Sequence, residues 1–236
     1  MYSSYSRRAF VISTTAMSVA AVSGAQAQDA CAVFSDDRQR TTTPEGALRL
    51  LQEGNERFVS GKTINCDLMA QVRASSTGQA PFAAVVGCID SRVPPELVFD
   101  QRLGSIFAAR IAGNFVNIDI IGSLEFACKL SGAKAIIVLG HTDCGAIKGA
   151  IDQPTLGNLT EMLKNIEPAI TATKIDGERS SKDKKLVQAV ADTNVKLAAK
   201  LILDRSPILK EMAGNKEIVV AAAMHDLATG KITFFT

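Results

Sequence analysis

Residues 82–92 read Phe82-Ala83-Ala84-Val85-Val86-Gly87-Cys88-Ile89-Asp90-Ser91-Arg92. Five apolar residues end in a glycine and a cluster of reactive side chains. That order describes a strand covered on both faces, with chemistry at its carboxyl end. Similar apolar runs recur at Ser105–Ala109, Ala135–Leu139 and Glu217–Ala223. Between and after them lie helical patterns at Ile118–Leu130, Leu156–Thr173 and Lys182–Leu203. Strands alternating with helices predict an α/β fold, a mostly parallel central sheet flanked by helices. A last run, Ile232–Phe235, follows the turn at Thr229-Gly230 and predicts an antiparallel edge strand. Ahead of the first strand, Thr43 and Pro44 start a helix over Pro44–Val59, with Ala47, Leu50, Leu51 and Phe58 at near-helical spacing. A weaker helical stretch covers roughly 66–76. Residues 28–43 are polar and are expected to be flexible, and Asp176–Lys185 reads as a solvated loop and helix start.

The chain has 236 residues, 47% of them hydrophobic, enough for one core. Lys and Arg number 26 against 24 Asp and Glu. With neither clustered positive charge nor any Trp, the composition points away from nucleic acid and from anionic membranes. Two histidines, His141 and His225, rule out a three-histidine metal site within one chain, so a catalytic metal must lean on thiolates or carboxylates. Five cysteines are too few and too scattered for a disulfide scaffold.

The first residues read as an address. Arg7-Arg8 precedes a modestly apolar stretch from Val11 to Ala25, and Ala25-Gln26-Ala27 is a small-residue cleavage pattern. The apolar stretch falls short of the ~20 residues that span a bilayer. Residues 1–27 are therefore expected to be a cleaved twin-arginine export signal, 28–43 a flexible segment and 44–236 a single catalytic domain. The destination is periplasmic or secreted, in a bacterium, with no membrane attachment after cleavage. Export removes two cations, Arg7 and Arg8, and leaves 24 of each sign.

Two loaded segments follow strands: Gly87-Cys88-Ile89-Asp90-Ser91-Arg92 and Gly140-His141-Thr142-Asp143-Cys144-Gly145. In a parallel sheet, ligands gather at the carboxyl ends of strands, where distant segments can meet. Cys88, His141 and Cys144 offer zinc three ligands and leave a fourth position open, as catalytic sites do. Cys144 would open a helix, whose amino terminus favours the thiolate. Cys88, Asp90 and Arg92 alternate, so on an extended segment they would point the same way. Arg92 would keep Asp90 ionised. Asp90 could then orient zinc-bound water or hydroxide, or swing onto the zinc as fourth ligand. Cys128 reads as a core residue and His225 as a satisfied histidine. Cys31 and Cys66 could pair in an oxidising compartment, an option the sequence leaves open.

Together these segments resemble the β-class carbonic anhydrase family. Cys88-Ile89-Asp90-Ser91-Arg92 and His141-Thr142-Asp143-Cys144-Gly145 look like its two metal motifs. Arg110-Ile111-Ala112-Gly113-Asn114 resembles its Arg-Asn-Ala-Gly-Asn stretch, with Ile111 departing, and Gly122-Ser123-Leu124-Glu125-Phe126-Ala127 resembles its following helix. The resemblance runs from about Pro44 to the carboxyl terminus. It implies a lyase that hydrates carbon dioxide reversibly to bicarbonate through zinc-bound hydroxide, with one Zn2+ per chain on Cys88, His141 and Cys144. It implies Asp90 and Arg92 as the catalytic pair. Gln79, Phe107, Ala112, Phe126 and Gly145 fall at substrate-binding positions; some members carry Tyr at Phe126. A homodimer or homotetramer is implied, with the leading helices packed on a partner subunit. Two alternatives share the site: hydrolysis of carbon disulfide or carbonyl sulfide, and a non-catalytic zinc-binding assembly protein with Asp90 locked on the metal.

Overall fold

Two apolar runs of Ala, Val, Ile and Leu build the centre of the fold. The computed structural model describes residues 31–174 and 177–235; the export signal expected over 1–27 lies outside them. Strand β1 (Ala83–Gly87) and strand β3 (Ala135–His141) are buried at every residue. They pair in parallel, Gly87 opposite Leu139. Strand β2 (Ile106–Arg110) pairs on the outer side of β1, and β4 (Val219–His225) on the outer side of β3. Strand β5 (Ile232–Phe235) closes the sheet antiparallel to β4, as the turn at Gly230 predicted. The order is β2-β1-β3-β4-β5. After β1 the chain goes to one side, and for β3 it returns to the other. The carboxyl ends of β1 and β3 therefore flank the switch point where α/β sheets open a crevice.

Helices on both faces make two apolar layers. On one face, α1 (Asp36–Thr41), α2 (Pro44–Val59) and α4 (Pro95–Val98) surround Leu51, Phe82, Val85, Val98, Phe99 and Leu139. The remaining short helix on the leading side is α3 (Leu68–Ser75). On the other face lie α5 (Ile118–Glu125), which widens into a π-turn over Phe126–Leu130, α6 (Gly145–Asp152), α7 (Gly157–Leu163), α8 (Glu167–Ala172), α9 (Lys184–Arg205) and α10 (Pro207–Gly214). Helix α9 buries Val187, Val190, Val195 and Ile202 at helical spacing. Each such side chain contributes about 1.5–3 kcal/mol relative to exposure. Gly54 of α2 is required by packing: a Cβ there would lie 1.8 Å from the Phe99 carbonyl oxygen.

Several expectations need correction. Of the segment 28–43, read as flexible, residues 28–30 lie outside the described residues, and the rest carries α1, with Phe34 buried and Ser35 capping the helix through its side chain. Its hydrophobic anchor outweighs its polar composition. The stretch Leu156–Thr173 is three short pieces, because a 3-10 turn at Lys164–Ile166 interrupts it. The charged segment before α9 is not merely solvated: Arg179 bridges to Glu167 at 2.9 and 3.1 Å and donates to the carbonyls of Ala150 and Ile151. Helices α4 and α10 were absent from the sequence reading. Among the described residues, no helix is long and apolar enough to cross a membrane.

Candidate metal centre

The pairing of β1 with β3 brings the two loaded segments together. Cys88 follows β1, His141 ends β3, and Cys144 caps the start of α6. Their donor atoms all lie within 4.8 Å of one another, and all three side chains are buried. His141 holds its Nδ1 against the Thr142 carbonyl at 2.9 Å, which turns Nε2 toward the thiols. That Nε2 is buried without a hydrogen-bond partner among the described residues. A buried imidazole nitrogen left bare costs about 1–3 kcal/mol, so it calls for a ligand.

The surrounding backbone fixes Cys88. The Gly113 amide donates to Cys88 Sγ at 3.4 Å, and Asn194 of α9 donates to the Gly113 carbonyl at 2.8 Å. Gly113 has φ +81°, and a Cβ there would lie 2.5 Å from Ile166 Cδ1. Only glycine fits this turn. Arg110 donates to the carbonyls of Cys88 at 2.9 Å and Asp90 at 2.6 Å. Gly113 and Arg110 stood within the quoted motif without an assigned role. Asn194 was missed altogether, although a polar residue on the buried stripe of α9 was a readable signal.

Asp90 and Arg92 make a closed pair. Arg92 donates Nε to one Asp90 oxygen at 2.9 Å and Nη2 to the other at 2.7 Å, and its amide adds a bond at 3.0 Å. The segment is a turn and not the extended run expected, because Asp90 accepts from the backbone two residues on. The pair forms all the same, by folding back and not by alternation. Asp90 Oδ2 lies 3.8 Å from His141 Nε2, at the edge of the triad.

Charge is tuned to match. The Arg92 hydrogen bonds hold the Asp90 carboxyl well below the usual range, against a smaller opposing effect of burial. The Cys88 thiol is pulled down, first by its hydrogen bond with Cys144, then against burial by His141 and the Gly113 amide. Cys144 moves up, because of its hydrogen bond with Cys88 and its burial, although the amides of Ile147 and Ala146 at the start of α6 oppose this. For His141, burial lowers the pKa, but the Cys88 contact and the Thr142 carbonyl raise it further. Two buried thiols packed beside an imidazole fit a divalent ion that displaces their protons. Two sulfurs and one imidazole nitrogen are a donor set for zinc.

The other anticipated residues divide. Gly145 is exposed at the start of α6, with nothing within 4 Å of a Cβ placed on it. Ala112 is half-buried next to Gly113. Phe107 and Phe126 meet edge to face, 6.2 Å between centroids, in a groove on the outer side of β2. Gln79 is exposed near Gly104, before the amino-terminal end of β1. That is the end of the sheet away from Cys88, so one chain does not bring Gln79 to its own triad. Cys128 is buried, as expected, with burial pushing its thiol up to about 12. His225 differs from expectation: it is buried opposite His141, and both ring nitrogens lack a partner among the described residues.

Comparison with known proteins agrees with this geometry. A family profile described as "Carbonic anhydrase" matches residues 83–232. "Carbonic anhydrase 2" of Mycobacterium tuberculosis is 31% identical over 196 residues, covering 80% of this chain and 92% of that protein. "Carbonic anhydrase" of Mycolicibacterium smegmatis is 34% identical over 197 residues, covering 81% and 93%. Among solved structures, a tetrameric β-carbonic anhydrase of Sordaria macrospora superposes with a TM-score of 0.59 at 26% identity, over 68% of this chain and 83% of that one. The Coccomyxa β-carbonic anhydrase in complex with acetazolamide gives 0.64 at 24% identity, over 71% and 77%, a likeness of fold.

Proposed function

The chain belongs to the β-class carbonic anhydrase family, and from that premise we propose that it is a zinc lyase interconverting carbon dioxide and bicarbonate. The observation that carries the reading is the buried triad with an unpartnered His141 Nε2 beside an ionised Asp90. Cys88, His141 and Cys144 would hold one zinc. When bound, zinc supplies Lewis acidity that makes water nucleophilic near neutral pH. Asp90, tied at both oxygens by Arg92, accepts a hydrogen bond from the attacking water and aims its lone pair. That tether supports an Asp90 that orients and does not ligate. The open space beside Gly145 admits a small linear substrate, and the proton released passes to buffer.

The chain would work as a homodimer or a larger assembly. Strand β2 is a sheet edge, and next to it Ile118, Phe126 and Leu130 are 82%, 51% and 77% exposed. An apolar face beside an open edge suits a twofold interface. Phe107, Phe126 and Gln79 would then act at a site completed by a second copy. The twin-arginine signal would deliver the protein to an oxidising periplasmic or external compartment, in keeping with a disulfide between Cys31 and Cys66.

Stopped-flow hydration of carbon dioxide tests the reading, with carbonyl sulfide and carbon disulfide as competing substrates. Asp90→Ala and Cys88→Ala should each abolish most of the turnover. Undiminished hydration by either purified variant, or faster turnover of a sulfur-containing gas, would overturn it.

A further inference from the structure

The disulfide sits far from the metal. Cys31 and Cys66 are bonded with Cα atoms 5.5 Å apart, closing a loop of 35 residues that contains α1 and α2. The arm from Cys31 to Thr41 lies over the amino-terminal end of the sheet. There the Phe34 ring packs 4.9 Å from that of Phe82, just before β1. Gln39 donates to the carbonyls of Pro81 and Ser131, both at 2.7 Å. Arg38 stacks over Phe34 at 4.5 Å. The metal triad lies at the opposite, carboxyl-terminal end of the strands.

Beneath the arm the packing is incomplete. A half-open pocket of about 610 Å³ lies between part of the arm and the body, lined by Phe34, Arg38, Glu53, Arg57, Asp100 and Arg102. Across the arm's seam the Phe34–Phe82 ring contact and the two Gln39 hydrogen bonds join it to the body. Both cysteines are half-buried, within reach of a small reductant. By contrast Cys88, Cys128 and Cys144 are buried.

We propose that the Cys31–Cys66 disulfide is a redox latch. Oxidised, it holds the arm on the sheet; reduced, it releases the arm and leaves the metal centre intact. The idea rests on the reading that the protein works in an oxidising compartment. There a disulfide oxidant takes two electrons and two protons from the thiols and becomes a dithiol. The catalytic body would fold first, and the latch would close on arrival. Reduction by a phosphine consumes one water, cleaves the sulfur–sulfur bond to two thiols and yields the phosphine oxide.

The test uses the purified full-length, metal-loaded protein, with and without a phosphine reductant, beside Cys31→Ser/Cys66→Ser. Trypsin reads the arm through cleavage after Arg38 and Arg40. Reduction should speed that cleavage on the order of tenfold. It should lower the thermal midpoint by roughly 5–15 °C, given the loop length and chain size. Metal content should stay constant. The double variant should match the reduced protein and ignore the phosphine. Two free thiols in peptide mapping without reductant would overturn the latch. So would unchanged trypsin and melting curves on reduction, a parent-like response of the double variant to phosphine, or loss of metal with the arm. These readouts need no catalysis: a trypsin response in a protein inactive toward carbon dioxide would sink the catalytic reading alone.

Discussion

Gly113→Ala isolates how the fold holds Cys88. Gly113 has φ +81°, where an L side chain costs about 1–2 kcal/mol. The new methyl would also lie 2.5 Å from Ile166 Cδ1 and 3.2 Å from Ala146 Cβ, in a part of the core where Ile166 is fully buried. Overpacking of that kind costs about 1–3 kcal/mol. The variant should lose roughly 2–5 kcal/mol in urea unfolding, and its zinc affinity should fall because the Gly113 amide shifts from Cys88 Sγ. Ile166→Val removes the clashing Cδ1. Alone it should cost about 0.5–1.5 kcal/mol; combined with Gly113→Ala it should recover about 1–2 kcal/mol of the loss. Urea melts of the four proteins in the cycle measure this. A Gly113→Ala cost under about 1 kcal/mol, or additive effects of the two substitutions, would refute the packing argument.

Three further outcomes are expected. Asn194→Ala strips the Gly113 carbonyl of its buried donor; competition with a chelator should show zinc held about tenfold more weakly, with a stability loss of about 1–3 kcal/mol. Asp90 has a depressed pKa in the folded state, so its contribution to stability is complete above the ordinary carboxylate value near about 4 and fades as pH falls through the lower native value. The stability gap between parent and Asp90→Asn should accordingly be constant from pH 5 to 8 in about those bounds and shrink in stronger acid, as read by urea melts across pH. Cys128, with its thiol pushed up to about 12, should resist a maleimide in the native protein at pH 8 or about that value and react fully in urea.

The central strands were readable because Phe82–Val86 and Ala135–Leu139 are unbroken apolar runs, a pattern that only burial on both faces explains. Strand ends were less legible. Hydrogen bonding carries β1, β3 and β4 through Gly87, His141 and His225, residues whose chemistry masked their backbone role. Helix α10 was lost although Ser206 and Pro207 are a start signal, since they follow α9 without a gap. The three donors could be named from residue type and strand-end position. Their supports could not: Asn194 reaches Gly113 only through the docking of α9, and Gln79 proves remote from Cys88 only once the strand directions are known. Cysteine spacing likewise left the Cys31–Cys66 pairing open until the arm's path was visible.

X-ray absorption at the zinc edge of the purified protein tests the metal assignment most directly. The account predicts one zinc per chain bound by two sulfurs at about 2.3 Å, one imidazole nitrogen at about 2.0 Å and one lighter donor. A shell without sulfur, a shell of four sulfurs, or protein purified with a different metal in the site would contradict it.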